Sequence, residues 1–362
     1  MERKNDLELF YRNRKVLITG HTGFKGSWMC MILKEFGAEV AGVALKPSTS
    51  PSLFKIAGIS DIVTSYTADV RNFECLREIF EKEQPEIVIH MAAQPLVRES
   101  YKNPVLTYET NVMGTVHVLE CCRVTPSVKS VVNVTTDKVY RNNEWERGYV
   151  ETDELDGYDP YSNSKSCSEL VTHSYVQSFF QELGIPVSTC RAGNVIGGGD
   201  FAADRIIPDC VRAIEKGDKI VVRNPFSIRP YQHVLEPLFV YLMVAKAQYE
   251  RYDVAGNYNV GPDDNNCITT GQLVDYFCKA WGNTEWINQF DGGPHEAQFL
   301  KLDCQKLKEA FHWKPLWSVK EAIEKIIEFE KIRISEAEES RDYKLCECMQ
   351  NQIGEYMRDM NI

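Results

Sequence analysis

Tyr161 and Lys165 stand four residues apart in Tyr161-Ser162-Asn163-Ser164-Lys165, so on a helix their side chains share one face, a turn apart. A tyrosine of ordinary pKa, about 10, is a poor base at neutral pH, and a neighbouring ammonium favours its phenolate. The lysine can meanwhile hold a cofactor ribose. Upstream, the apolar run Ser130 to Val134 ends in Thr135-Thr136-Asp137-Lys138, which sets a hydroxyl, an acid and an amine side by side. A carboxyl kept neutral by burial can donate a proton, and a lysine whose pKa is lowered by desolvation or by Lys165 nearby can accept one.

A second group of residues could hold an anion. The apolar run Val16 to Ile18 breaks at Gly20, Gly23 and Gly26, and a helical pattern with Trp28, Met29, Ile32 and Leu33 follows. This reads as strand, tight turn and helix N-terminus, where unpaired N–H groups and the positive dipole end can cradle a pyrophosphate. The spacing is G-x-x-G-x-x-G, not G-x-G-x-x-G, and no Gly-Lys-Ser/Thr ends it, so a nucleoside triphosphate loop is disfavoured. The second strand ends in Ala44-Leu45-Lys46-Pro47, where an NAD site normally offers an acid to the ribose hydroxyls. NAD against NADP stays open there, since Lys46 could favour a 2′-phosphate. Asp69, just past the third strand, stands where an adenine amino group could donate to it, and it could equally cap the next helix. The fourth strand exits into Ala92-Ala93, small side chains that let a cofactor pass close.

The elements that position these groups alternate. Strands are expected at Val16 to Ile18, Ala38 to Leu45, Ile62 to Thr67, the apolar run within Pro85 to Gln94, Ser130 to Val134 and Pro186 to Arg191, with helices between them. That alternation predicts an α/β, Rossmann-type doubly wound parallel sheet with ligands at the carboxyl ends of the strands. Pro104 to Cys122 has helical spacing with Asn111 inside, which should bond a neighbouring backbone group. The run Ala192 to Asp200 is glycine-rich and reads as a flexible exit. Beyond it the rhythm loosens. The expected division is 1–192 for a dinucleotide domain and 193–362 for a smaller mixed α/β substrate lobe and helical tail, with segments near 230–262 returning to the first. Phe226 to Val234 reads as an exposed connection, and the tail 336–362 carries no assignable chemistry.

Composition narrows the class. With 362 residues, 43% hydrophobic and 26% charged, the chain suits a globular enzyme. A net charge of −11, with no basic cluster, argues against nucleic acid. No apolar run reaches membrane-span length, and Met1 to Asp6 lacks a signal-peptide core, so a cytoplasmic location and no membrane partner are expected. The 12 cysteines lack zinc-knuckle spacing and read as reduced core residues, with no metal expected.

In this order, the glycine loop, Thr135-Thr136 and Tyr161/Lys165 resemble the extended short-chain dehydrogenase/reductase superfamily over nearly the whole chain. The resemblance implies a catalytic set of Thr136, Tyr161 and Lys165 and a bound NAD. Thr19-Gly20-His21-Thr22-Gly23-Phe24-Lys25-Gly26-Ser27-Trp28, Thr136-Asp137-Lys138, Arg191 to Asp200, Ile228 to Val234 and His295 to Asp303 further resemble the CDP-glucose group of the nucleotide-sugar 4,6-dehydratases. Related dTDP-glucose and GDP-mannose enzymes carry an acid where Lys138 stands. The implied reaction oxidises C4 of the sugar, eliminates water across C5 and C6, and returns the hydride to C6. Tyr161 would take the C4 hydroxyl proton with Thr136 sharing its hydrogen bond, and Asp137 would protonate the departing C6 hydroxyl. Lys138 would be the C5 base or, still charged, an enolate stabiliser. By the same resemblance the cofactor site comprises Gly20, His21, Gly23, Phe24, Lys25, Gly26, Asp69, Val70, Ala92, Ala93, Gln94, Thr135, Tyr161, Lys165 and Arg191, with His21 and Lys25 at the phosphates. Asn194, Arg205 and Arg229 would hold the CDP-glucose substrate. His295 is left out of the catalytic set. A homodimer or homotetramer packed through the helices that follow the fourth and fifth strands is implied. An epimerase or reductase on the same scaffold, or a non-catalytic NAD-binding protein, are the alternatives.

Overall fold

The computed structural model describes residues 6–282, 284–290 and 299–360. His295, and the part of its motif from His295 to Gln298, lie outside them. The centre is one sheet of seven strands: β1 Lys15–Thr19, β2 Glu39–Ala44, β3 Thr64–Thr67, β4 Ile87–His90, β5 Ser130–Thr136, β6 Val187–Ala192 and β7 Asn257–Val260. Their order is β7-β6-β5-β4-β1-β2-β3, and every pairing is parallel. Parallel strands need crossover connections, and right-handed crossovers put helices on both faces. The inner strands are therefore buried on both sides, every residue of β5 among them, whereas β3 at the sheet edge is mostly exposed. One face is covered by α1 (Phe24–Glu35) and α5 (Leu235–Glu250), through Trp28, Met29, Ile32, Phe239 and Leu242. The other is covered by α2 (Phe73–Glu83) and α3 (Gly114–Val124), through Leu76, Phe80, Val118 and Leu119. Strand order reverses between β1 and β4, whose last residues Thr19 and His90 are in register, so the ligand crevice opens there.

Three expectations change. The helix expected over Pro104 to Cys122 is interrupted by a wider π-helical turn at Glu109–Met113. Inside that turn Asn111 is buried, accepts from Gln94 N (2.8 Å) and donates to Gln94 O (3.1 Å), the backbone partner its burial requires. The segment expected as an exposed connection is mostly interior. Arg229 to Val234 are buried, with Ile228–Pro230 pairing Cys267–Thr269 and Gln232–His233 pairing Val195–Ile196. The glycine run is not flexible but tightly packed: a Cβ at Gly198 would lie 2.3 Å from the Phe329 ring, and one at Gly197 2.9 Å from Phe24 Cζ. Glycine is needed there because other elements press against the backbone.

The second lobe has its own core, in which Ile207 and Val211 meet Leu273, Phe277, Ile323 and Ile326. Beyond it, α6 (Val319–Ser335) leads to α7 (Glu338–Asp359), which packs against α6 and α1. The anchor for this tail is Glu236 on α5. Its buried carboxylate accepts from Leu316 N (2.9 Å), Trp317 N (2.7 Å) and Tyr356 Oη (2.7 Å). Among the described residues no helix is long and apolar enough to cross a membrane.

Burial raises the pKa of Glu236 from 4.5 to about 7 against its hydrogen bonds. The folded value exceeds the unfolded one, so this group's contribution to stability is complete below about pH 4.5 and is lost as pH rises through 7. Glu236→Gln keeps an acceptor for both N–H groups and removes the buried charge. Urea unfolding at pH 8 should find it more stable than the parent by up to about 3 kcal/mol, with the gain vanishing near pH 5. Equal destabilisation at both pH values would contradict this.

Candidate active site

The glycine loop forms a cradle that side chains would fill. Gly20 has φ +81°, and a Cβ there would lie 2.9 Å from Ala92 N, because the exits of β1 and β4 converge. Thr19 Oγ1 fixes that approach by accepting from Met91 N and Ala92 N, both at 3.1 Å. A Cβ on Gly26 would sit 2.2 Å from Gly20 O, so the loop can fold back only on glycine. Gly23 is exposed and opens α1 with no side-chain cap. An uncapped helix start beneath a glycine surface fits a dinucleotide pyrophosphate.

The two loop side chains do not both face that anion. His21 is buried, its Nε2 bonds Ser65 Oγ at 2.7 Å, and its ring fills the space over Gly42, where a Cβ would be 2.3 Å away. Burial pushes its pKa down to about 4, so it brings no charge to a phosphate at neutral pH. Lys25 lies within reach of the catalytic cluster instead. Burial, then the charges of Lys165 and Arg205, lower its pKa to about 7 against Asp137 and Asp200.

At the end of β5, Thr136 Oγ1 donates to Asp137 Oδ1 (2.9 Å), and Lys138 Nζ reaches the same oxygen at 3.3 Å. The Asp137 side chain is wholly buried while that of Lys138 is 30% exposed, so the pair sits at the mouth with its acid inward. Among the described residues Asp137 Oδ2 has no protein partner. It lies 3.4 Å from where a Cβ of Gly193 would stand, so that glycine keeps the oxygen open to a ligand. Tyr161 begins α4 (Pro160–Tyr175), whose start is capped by Asp159. Its pKa is pushed up to about 12, first by burial; its hydrogen bond with Thr136 and the charge of Arg205 oppose this. The expected lowering by Lys165 is not the arrangement found. Lys165 Nζ donates to Val134 O at 3.1 Å, and burial brings its own pKa down to about 8. The cation acting on the phenol is Arg205.

The lobe supplies the rest. Arg205 Nη1 pairs with Asp200 Oδ2 at 2.7 Å, Asn194 Oδ1 is buried with no partner among the described residues, and Arg229 is buried with Nη1 donating to Ile228 O at 3.0 Å. Several residues expected at the cofactor are occupied elsewhere. Arg191 is buried in an ion pair with Glu169 (3.0 Å), and Thr135 donates its hydroxyl to the same carboxylate. Gln94 spends its side chain on Thr107 and Leu96 N. Asp69 is held by Arg71 at 2.7 Å, which holds its carboxyl below the usual range. Val70 is buried against Gly114, and its carbonyl accepts from His117. Phe24 packs on Gly197, while Ala92 and Ala93 lie partly exposed at the β4 exit. Sequence reasoning passed over Arg98, whose guanidinium lies 3.9 Å from Asp204 in the second lobe, and Glu169. The spacing of Glu169, four residues after Lys165, was its legible signal.

Residues 17–326 match the GDP-mannose 4,6-dehydratase family. A CDP-glucose 4,6-dehydratase of Salmonella typhimurium is 46% identical over 96% of this chain and 97% of its own. Among solved structures, dTDP-glucose 4,6-dehydratase from Bacillus anthracis in complex with NAD superposes with TM-score 0.75 at 21% identity, over 91% of this chain and 99% of that one. UDP-glucuronic acid 4-epimerase from Bacillus cereus, bound to UDP-glucuronic acid and NAD, does so with TM-score 0.77 at 20% identity, over 88% and 99%. These two likenesses establish the fold.

The two steric environments in the loop make a paired prediction. Gly26→Ala should cost about 2–4 kcal/mol in chemical unfolding, because its Cβ meets backbone, while Gly23→Ala, at an open position, should cost less than about 1 kcal/mol. Equal costs would show that the loop does not fold back as described.

Proposed function

The chain belongs to the GDP-mannose 4,6-dehydratase family, and from that premise we propose that it dehydrates CDP-glucose to CDP-4-dehydro-6-deoxyglucose with a bound NAD. One observation carries the reading. A buried acid and a lysine share a strand end with the Thr136, Tyr161 and Lys165 set. An epimerase or simple reductase would need that set without the added acid and amine. The identity to the Salmonella typhimurium enzyme supports the nucleotide and the sugar.

The glycine cradle, the uncapped start of α1 and Lys165 would hold the dinucleotide, which supplies a hydride acceptor for C4 and a donor for C6. Arg205, Arg229 and Asn194 would hold the nucleotide sugar, and guanidinium forks suit its diphosphate. Tyr161, bonded to Thr136, removes the C4 hydroxyl proton. Burial raises its pKa against Thr136 and Arg205, so contact with the alcohol and with the oxidised cofactor's positive charge would have to bring it down.

The pair Asp137–Lys138 accounts for the elimination. Asp137 gives its proton to the departing C6 hydroxyl, and Lys138 takes the proton from C5. The pair is then carboxylate and ammonium, the contact seen at 3.3 Å. As C6 takes back its hydride, the Lys138 ammonium returns its proton to C5, and the proton that Tyr161 took from the C4 hydroxyl passes to Asp137, to which Thr136 links it, so both bases and the acid are restored with no net proton gained or lost. The partial exposure of Lys138 supports the second reading, in which a standing ammonium stabilises the enolate formed after C4 oxidation.

The protein is further proposed to act in the cytoplasm as a homodimer. Val105 (70% exposed), Met113 (46%) and Leu170 (56%) leave an apolar face across the segment before α3 and along α4. It includes a cavity of about 440 Å³ lined by Pro104, Val105, Tyr108, Val112, Met113 and Cys167. A second copy meeting it would bury both patches in one self-complementary contact.

Incubation with CDP-, dTDP- and GDP-hexoses side by side should give a 4-keto-6-deoxy product from CDP-glucose alone, without net NADH. Product from another nucleotide, or a C4 epimer, would overturn the assignment. With Lys138→Met, loss of C5 proton exchange with deuterated solvent is expected; undiminished exchange would leave the enolate role. Val105→Glu/Met113→Glu should sediment as a monomer, and an unchanged sedimentation coefficient would place the contact elsewhere.

A further inference from the structure

One turn beyond Lys165 on α4 stands a carboxylate that the reaction does not use. Glu169 is 3% exposed. Its Oε1 accepts from Thr135 Oγ1 (2.5 Å) and Arg191 Nε (3.0 Å), and its Oε2 from Thr189 Oγ1 (2.7 Å) and Arg191 Nη2 (3.0 Å). Accepting four hydrogen bonds and donating none is the pattern of an ionised carboxylate. Arg191 approaches from β6, and its Nη1 turns away to Tyr140 Oη (2.8 Å) and Glu151 O (2.9 Å). Residues four apart on a helix are surface neighbours, so the negative end of this ion pair is the end beside Lys165. A buried ion pair adds little net stability over apolar residues of the same volume. Its orientation therefore calls for an explanation other than holding the fold together.

We propose that Glu169 is a positioning residue that keeps Lys165 an ammonium inside a buried site, so that the lysine can serve the cofactor ribose at neutral pH. The groups around Lys165 make this necessary. From the glycine loop comes Lys25, a second cation; from β4 comes His90, which burial and Lys165 itself push down to about 3. From β5 comes the Val134 carbonyl, which accepts from Lys165 Nζ at 3.1 Å. Burial drives Lys165 toward the neutral amine, and Glu169 is the charge that opposes this. Thr135, Thr189 and Arg191 act through it by fixing the carboxylate against the helix. The inference rests on the catalytic reading of Lys165, but the titration of Lys165 can be measured without turnover.

The test is competitive acetylation of the full-length protein from pH 6 to 10, with the Lys165 peptide read by mass spectrometry, beside the pH profile of kcat with CDP-glucose. The parent should titrate near pH 8. Glu169→Gln should move that midpoint, and the alkaline limb of kcat, down by roughly one pH unit. Glu169→Asp, which restores the charge, should recover most of the shift. Thr189→Val disturbs the same network without removing the charge and should leave the midpoint in place. If Glu169→Gln does not fold, Glu169→Gln/Arg191→Gln removes both charges, and its midpoint should still fall below that of Thr189→Val. An unchanged midpoint in the charge-removing variant, or an equal shift in Thr189→Val, overturns the proposal. A Lys165 midpoint that moves as expected in a protein without dehydratase activity would leave the proposal standing and sink the functional reading instead.

Discussion

The indole N–H of Trp28 donates to the carbonyl of Gly198 at 3.0 Å, and the geometry of the whole crevice depends on that contact. Trp28 lies in the first turns of the glycine-loop helix, and Gly198 lies in the run that leads from β6 toward Asp200 and Arg205. The bond therefore ties the glycine loop to the lobe that carries Arg205. Alone it contributes about 1 kcal/mol, but it joins surfaces that burial has already closed. Trp28 is fully buried, its ring faces His233 edge-on at 6.1 Å, and His233 in turn meets Trp317 at 4.8 Å. The glycines at 197 and 198 are the consequence, because only a backbone without Cβ atoms can come this close to Phe24 and Phe329.

Charge is distributed as tightly as space. A protein of net charge −11 gathers Lys25, Lys165 and Arg205 around one crevice, opposed by Asp137 and Asp200. Burial, then the charges of Lys165 and Arg205, bring Lys25 down to about 7 against Asp137 and Asp200, whereas Lys165, lowered by burial and opposed by Glu169, stays near 8. The arrangement suits a crevice meant for anions: a diphosphate there would offset the repulsion among these cations.

What the sequence disclosed follows a physical rule. Strands β1, β4, β5 and β6 are short apolar runs ended by turn residues, and both their existence and their parallel order could be read from periodicity. The pair Thr136-Asp137 and the Tyr161/Lys165 spacing could be read because their geometry is local. What could not be read depends on contacts between distant segments. The glycine run 197–199 looked mobile because the side chains that press on it, Phe24, Leu53 and Phe329, are far away in the chain. Arg229 to Val234 looked exposed because its polar composition hides the partners that bury it. Arg191 and Thr135 looked like cofactor residues because nothing local announces that Glu169 claims both. His21 looked like a phosphate contact, and only the vacancy left by Gly42 shows where its ring goes.

The tail that looked chemically silent now has a mechanical place. Helix α7 packs on α1, and Tyr356 within it bonds the same Glu236 carboxylate that holds the backbone at Leu316 and Trp317. Force on α7 therefore reaches the glycine loop through α1, and reaches α5 through Glu236. A dehydratase that lends a hydride and takes it back gains nothing from a cofactor that leaves midway. The buried carboxylate at the joint limits this bracing, because it is most favourable while protonated, and the acidic side of neutrality is where the clamp closes most firmly.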